Sequence, residues 1–290
     1  MSSNLSKIES IVTDVLFNEL SYLDQRERDV FEEYLYAFSF LFYNSKIKQI
    51  IEIGAGHSTL VFSLLAKRTG CEVKTIDMNP QSMINKLRNR LLVDDVVQNI
   101  KFINGTSISN NDLLSFYKNG VKSINGININ EVMKYVDSFI DLKMDNRKEP
   151  KVKLALCLEN LNSLAFLNDF DTDRLFSTEF LEIYRSVDED DEFSFCEENN
   201  LTEGVLASLF EDSQVDMVFL DSGEFSSLVE WEIISKNLRI GGYVYLHDIF
   251  FPKSYKNWLV CASIKASKHW EVLYINSTIP QGMMLAKKVS

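Results

Sequence analysis

An open α/β fold is the class this sequence predicts: a mostly parallel, seven-stranded sheet with helices on both faces and an antiparallel last strand. Three observations predict it. Short apolar runs rich in β-branched residues alternate with stretches of helical spacing, first over residues 47–107 and again from residue 200 onward. The connections within each stretch are long enough to hold a helix, which implies parallel pairing with right-handed crossovers. The last two apolar runs are joined through a short Pro280-Gln-Gly282 connection, which fits an antiparallel hairpin.

The elements follow in order. Residues 4–20 place Ile8, Ile11, Val12, Val15, Leu16 and Leu20 at helical spacing, and Asp24 to Tyr43 reads as a second helix. These form an N-terminal helical extension over residues 1–46, which either covers the sheet or builds a homodimer. Lys48 to Ile53 is the first strand, ended by Gly54-Ala-Gly56, and Ser58 to Arg68 is a helix closed by Gly70. Glu72 to Asp77 is the second strand. Pro80 to Leu92 is a helix with Pro80 suited to its first turn, and Asn99 to Ile103 is the third strand.

The alternation then breaks over residues 108–199. Asn130 to Met144 reads as a helix with Asn130 as N-cap, Val152 to Leu167 and Asp173 to Arg185 as two more, and Asp188 to Glu198 as an acidic loop. The alternation resumes with a helix (Thr202 to Glu211), a strand (Val215 to Leu220), a helix (Ser226 to Leu238) and a strand (Gly241 to Leu246). A helix over Lys253 to Lys268 and closing strands at Trp270 to Ile275 and Met283 to Ala286 complete the chain. Residues 47–107 and 200–290 are thus one α/β domain interrupted by a large helical insertion, 108–199. The insertion leaves from the C-terminal end of the third strand, where ligands bind in open α/β sheets, so it is expected to be a cap or part of a substrate pocket.

Composition narrows the class. Of 290 residues 46% are hydrophobic, with only 4 Pro and 11 Gly, so collagen-like and linker-dominated chains are excluded. The net charge of −12 argues against a nucleic-acid backbone as default partner. That charge is local: residues 169–198 carry twelve acids against two arginines, a net −10, and the other 260 residues carry about −2. A basic partner at 169–198 is therefore one expectation, beside the plainer reading of a solvated surface. Cys71, Cys157, Cys196 and Cys261 lie far apart without zinc or redox spacing, which fits reduced thiols in a cytoplasmic protein. The polar N-terminus and the short longest apolar run, Leu35 to Tyr43, predict neither a signal peptide nor a membrane span.

The chemistry starts at Glu52-Ile-Gly54-Ala-Gly56-His-Ser-Thr59, where a strand hands over to a helix. Gly54 permits the turn, and Gly56 lets the backbone approach a ligand. A dinucleotide fingerprint wants a third Gly at the position of Thr59. Glu52, just before the glycines, would face a pyrophosphate badly and suits a ligand with a cationic amino group and no phosphate, such as S-adenosylmethionine. Asp77 ends the next strand, placed to bind a ribose.

With these residues the sequence resembles class I S-adenosylmethionine-dependent methyltransferases over roughly residues 47–107 and 200–288, and within them the small-molecule O-methyltransferases. The resemblance implies a Rossmann-like fold whose glycine loop (Glu52, Gly54, Gly56, with His57 and Ser58) wraps the methionine part of the cofactor. It implies that Asp77, next to Met78, binds the ribose hydroxyls. Thr106 stands where the family often has an acid for adenine. Phe219-Leu-Asp221 and Gly241-Gly-Tyr-Val-Tyr-Leu-His247-Asp248 match the family's fourth and fifth strand ends. In its metal-dependent branch the acids there, matched by Asp221 and Asp248, hold a divalent cation such as Mg²⁺. Such an ion would lower the pKa of a substrate hydroxyl. Two positions depart: Glu224 stands where related proteins have a His, and Ile249 where they have an Asn. His247 is the alternative general base, because its ordinary pKa is near neutrality.

The leading expectation is methyl transfer from S-adenosylmethionine to an oxygen of a small-molecule acceptor, with Asp221, His247 and Asp248 catalytic and Asp221 also beside the cofactor. The alternatives are a protein methyltransferase, or an inactive cofactor-binding interaction protein, recruiting its partner through the acidic insertion.

Overall fold

The computed structural model describes residues 47–82, 98–118, 121–139, 201–212, 214–223, 225–250, 256–277 and 281–290, with isolated positions besides, several of them between 10 and 38. The sheet strands are β1 (Gln49–Ile53), β2 (Glu72–Asp77), β3 (Ile100–Asn104), β6 (Met217–Leu220), β7 (Tyr243–His247), β8 (Trp270–Asn276) and β9 (Met283–Lys288). A separate small hairpin comprises β4 (Ser123–Ile124) and β5 (Ile127–Asn128). The sheet runs β3-β2-β1-β6-β7-β9-β8. β1 pairs parallel with β2 and β6, as do β2 with β3 and β6 with β7; β9 is antiparallel to both β7 and β8. The expected mostly parallel sheet with an antiparallel last strand is therefore present. Chain order reverses at β1, with β2 and β3 to one side and β6 and β7 to the other. That switch point opens a crevice beyond the carboxyl ends of β1 and β6.

Six α-helices are described with their bounds: α1 (His57–Thr69), α2 (Asn110–Tyr117), α3 (Ile129–Met133), α4 (Val205–Asp212), α5 (Ser226–Asn237) and α6 (Trp258–Ala266). Strand alternation divides the core into two layers. Ile51, Ile53, Val218, Leu220, Val244 and Leu246 point to the α5–α6 side. Ile50, Met217, Phe219 and Tyr245 point to the α1 side.

The described positions of the N-terminal extension lie on the α1 side. Val12, Val15, Phe31, Tyr34, Leu35 and Phe38 are buried in that layer, and Phe38 stacks on Phe62 with centroids 4.2 Å apart. These positions pack on the sheet, which is one of the two fates expected for this segment.

The insertion begins as part of the same body. Thr106 N–H donates to Thr202 O (2.9 Å), and Val205 N–H to Thr106 O (3.0 Å), so its two ends are stitched together. Leu113, Tyr117, Ile124, Ile129, Val132 and Phe139 share one core with α5 and α6. The expected boundary at residue 108 is not a break in packing.

The long helix expected from Asn130 to Met144 is instead the short α3, capped by Asn128 Oδ1 accepting from Asn130 N–H (2.9 Å), followed by a 3₁₀ turn over Val136–Phe139. Before it, Asn125 (φ 53°) and Gly126 (φ 75°) make a left-handed two-residue turn between β4 and β5. Residues 140–198, with the expected helices Val152 to Leu167 and Asp173 to Arg185 and the acidic run, lie outside the described residues. Among the described residues, Cys71 and Cys261 are buried free thiols, and no helix is long and apolar enough to cross a membrane.

Candidate active site

The site is built from the carboxyl ends of four adjacent strands. Register places Glu52 beside Thr75 and Phe219, and Phe219 beside Tyr245. The alternation that sends Ile50 and Phe219 to the α1 side sends Glu52, Asp77, Asp221 and His247 there too.

Gly54 leaves β1 with φ 87°, and a Cβ there would run into the backbone carbonyl oxygen of Asp221. The turn needs glycine twice over, for its dihedral and for the space. At Gly56 a Cβ would meet nothing within 4 Å. The room above Gly56 is the room a ligand would use. Gly56 N–H donates to Thr59 Oγ1 (2.9 Å), so the residue standing in place of the third dinucleotide glycine ties the start of α1.

Glu52 is 0% exposed. Its two carboxylate oxygens accept from Ser58 Oγ (2.6 Å) and Thr75 Oγ1 (2.6 Å). Burial pushes its pKa up to about 7, against the pull of these hydroxyls. Glu52 and Ser58, expected to touch a ligand directly, therefore lie beneath the glycine loop and brace α1 against β2. Asp77 is half-buried at the rim, accepting from Ala55 N–H (2.9 Å) and Asn79 N–H (2.7 Å). It fixes the glycine loop at the end of β2. Met78 beside it is half-buried and His57 is exposed, edge-on to Phe31 at 5.6 Å. Thr106 spends its hydroxyl on Ile108 O (2.6 Å), shaping the turn where the insertion departs.

Beyond β6 and β7 stands a charged cluster. His247 Nδ1 is 3.2 Å from Asp221 Oδ2 and 3.6 Å from Asp248 Oδ1. An ionised carboxylate only accepts, so Nδ1 bears the proton and Nε2 is the basic nitrogen. Burial works against the charge of the imidazolium, yet Asp221 and then Asp248 raise its pKa above the ordinary value. Burial would also raise Asp221, but the Lys256 ammonium and His247 hold it down at about 2. Tyr34 from the N-terminal extension lies 6.0 Å from the His247 ring and walls this side.

Asp248 follows β7 with a left-handed backbone, φ 55°. Strict alternation would carry its side chain to the opposite face; the left-handed turn brings it back beside His247. Such a conformation is tolerated by Asp at a small cost and concentrates at functional sites. Its Oδ1 is buried without a hydrogen-bond partner.

Asp221, His247 and Asp248 offer three ligand atoms within 4.8 Å of one another, the grouping expected for a metal. The sequence did not bring Lys256 into that grouping. Its Nζ lies 3.0 Å from Asp221 Oδ1 and 3.3 Å from Asp248 Oδ2. An ammonium bridging both carboxylates stands where a bridging ion would stand, and one of the three donors is an imidazole. Arranged so, the residues do not fit Mg²⁺, which demands an octahedron of oxygens.

Asn257 was also missed. Fully buried, it donates from Nδ2 to Leu220 O (3.2 Å) and His247 O (2.6 Å), clamping the ends of β6 and β7. Its signal was its place just before the apolar helix beginning at Trp258. Phe225, Trp231, Phe250 and Trp258 are buried in the core, while Phe251 and Glu224 lie outside the described residues. His269, on the far edge, pairs with Ser290 Oγ at 2.8 Å.

No family model and no curated protein matches the sequence. Among solved structures the chain is similar to a methyltransferase from Geobacter sulfurreducens, at 10% identity and TM-score 0.41, over 98% of this chain and 89% of that one. It is similar to the O-methyltransferase TomG from Streptomyces achromogenes, involved in tomaymycin synthesis and solved with S-adenosylmethionine (11% identity, TM-score 0.39, 96% of each chain). It is also similar to an rRNA methylase from Streptococcus thermophilus (10% identity, TM-score 0.36, 88% of this chain and 95% of that one). These likenesses are remote, and the chemistry is read from the residues themselves.

Proposed function

We propose that the protein is an S-adenosylmethionine-dependent methyltransferase that methylates an oxygen of a small-molecule acceptor. The observation that carries this reading is a convergence: the glycine loop after β1 abuts the backbone of Asp221, and Asp221 orients His247. A cofactor cradle and a base of stated tautomer therefore share one crevice.

The residues fit the cofactor. The open space at Gly56 accommodates its methionine part against the backbone, and Asp77 at the rim is placed for ribose hydroxyls. Glu52, bonded to Ser58, sets a buried carboxylate near the loop whose charge would favour the cofactor's ammonium. When bound, S-adenosylmethionine supplies an electrophilic methyl group on a positively charged sulfur.

His247 Nε2 takes the acceptor's hydroxyl proton. With S-adenosylmethionine bound, the O–H bond would break as the oxygen's electron pair took the methyl, and the carbon–sulfur bonding pair would stay on sulfur. Asp221 keeps the proton on Nδ1 and stabilises the imidazolium that forms. General-base help of this kind contributes roughly 10²–10⁴ in rate, with positioning supplying the rest. The α1 side of the site is walled by Tyr34.

Isothermal titration with S-adenosylhomocysteine tests the reading first. Binding by the wild type and its loss in Gly56→Val are expected; failure of the folded wild type to bind refutes it. Incubation of S-adenosylmethionine with hydroxylated small molecules, followed by mass spectrometry for a methyl ether, tests the acceptor class.

A further inference from the structure

We infer that Lys256 supplies, from within the chain, the positive charge that a divalent cation would bring to Asp221 and Asp248, so that this site works without a metal ion. The inference rests on the reading of the cluster as the acceptor side of a methyl-transfer site.

The first support is position. The ammonium is 3.0 Å from Asp221 Oδ1 and 3.3 Å from Asp248 Oδ2, with the Lys256 side chain only 18% exposed. A cation held by both carboxylates at that depth repels a second cation brought to the same oxygens, because screening by water is weak there.

The second support is that the lysine is built in rather than swinging in from the surface. Its carbonyl accepts from Ser227 Oγ on α5, and its N–H donates to Ser254 Oγ (3.2 Å). The next residue, Asn257, is clamped to the carbonyls of Leu220 and His247, the residues that immediately precede Asp221 and Asp248. The strand ends that carry the two acids thus also fix the backbone that carries the lysine. The left-handed turn at Asp248 completes the arrangement, since it returns the second carboxylate to the lysine's side of the sheet.

The third support is the donor set. Without Lys256, Asp221, His247 and Asp248 bring two carboxylates and an imidazole within 4.8 Å of one another, donors of the kinds that suit Mn²⁺ or Fe²⁺. Lys256 is therefore a positioning residue. It neutralises one of the two acids, holds their spacing, and closes to metals a trio that would otherwise bind them.

The test titrates the full chain with Mn²⁺ alone, without cofactor, for wild type, Asp221→Asn, Lys256→Ala, Lys256→Met and Lys256→Arg. The wild type and Lys256→Arg are expected to take up no Mn²⁺ in the millimolar range. Lys256→Ala and Lys256→Met are expected to gain a site about tenfold tighter or more, as the repelling charge is removed. That gain should vanish when Asp221→Asn is added. A wild-type Mn²⁺ site lost in Asp221→Asn overturns the inference, and so do cooperatively melting Lys256→Ala and Lys256→Met proteins that gain no site.

If neither neutral variant folds, the wild-type titration decides: Asp221-dependent binding overturns the inference, and its absence supports it. The wild type is expected to retain methyl transfer in EDTA, whereas loss of that transfer in EDTA with recovery by added Mn²⁺ is a refutation. S-adenosylhomocysteine binding, measured on the same samples, judges the methyltransferase reading separately.

Discussion

Replacing Glu52 with glutamine is expected to make the protein more stable above neutral pH and weaker at holding cofactor. Burial holds the Glu52 carboxyl at about 7, against an ordinary 4.5. The folded state therefore binds this proton more tightly than the unfolded chain does. Its contribution to stability is fully present below about pH 4.5 and is lost as pH climbs through 7. At roughly 1.4 kcal/mol per unit the loss is about 3 kcal/mol. The glutamine side chain keeps the shape, accepts from one of the two hydroxyls and donates to the other, and does not titrate.

Urea denaturation of both proteins at a series of pH values is the assay. The stability of the wild type relative to Glu52→Gln should fall by about 3 kcal/mol between pH 4.5 and 8. Titration with S-adenosylhomocysteine supplies the other half. Its ammonium favours the ionised carboxylate, so wild-type affinity should rise as pH passes upward through 7. The variant should show no such rise and bind about tenfold more weakly at high pH, a difference of about 1.4 kcal/mol. A flat stability difference would mean that Glu52 is not the buried acid described. Equal affinity at every pH would remove it from the cofactor's surroundings.

The remaining expectations separate fold from function at neighbouring positions. Gly54→Ala should destabilise by about 3 kcal/mol or more, from the left-handed φ and the collision with Asp221 O, read as a lower melting temperature. Gly56→Val should melt like wild type and lose S-adenosylhomocysteine, since its side chain fills open space; retained binding would displace the ligand from that loop. Asp221→Asn should lower turnover by roughly 10²–10⁴ without changing cofactor affinity. In the same variant the His247 pKa, followed by NMR, should fall, because the Asp221 charge is what chiefly raises it. Asn257→Ala leaves two buried carbonyls without their donor and should cost about 2–4 kcal/mol in denaturant unfolding.

The sheet was legible because its signals are local. The β-branched runs, the glycine loop and the short Pro280-Gln-Gly282 connection each state a period or a turn within a few residues. Gly54 and Asp77 were found the same way, by their place at strand ends. The β4–β5 hairpin was equally local, an Asn125-Gly126 pair between Ile124 and Ile127, and it was passed over amid the irregular sequence around it. Lys256 and Asn257 are a different case. Their role arises because α6 starts under the β6 and β7 ends, a tertiary fact with no sequence period. Glu52 shows the opposite limit: its position was read correctly, but its direction, inward to Ser58 and Thr75, is set by packing of α1 on β2.

Two carboxyl groups at neighbouring strand ends are pushed in opposite directions, Glu52 up to about 7 by burial and Asp221 down to about 2 by two cations despite burial. Such divergence assigns roles. Asp221, ionised throughout, can hold the Nδ1 proton of His247 at any working pH. Glu52, poised at neutrality, can ionise when a ligand ammonium arrives and need not bear a buried charge before then. Lys256 balances one of the two cluster acids and leaves the other uncompensated. That residual negative charge is matched only when His247 takes a proton. The cluster is thus closest to neutral in the state that deprotonation of an acceptor hydroxyl creates, which is the state a general base must stabilise. A divalent ion added to the same two acids would remove that incentive, because it would neutralise both before any proton moved.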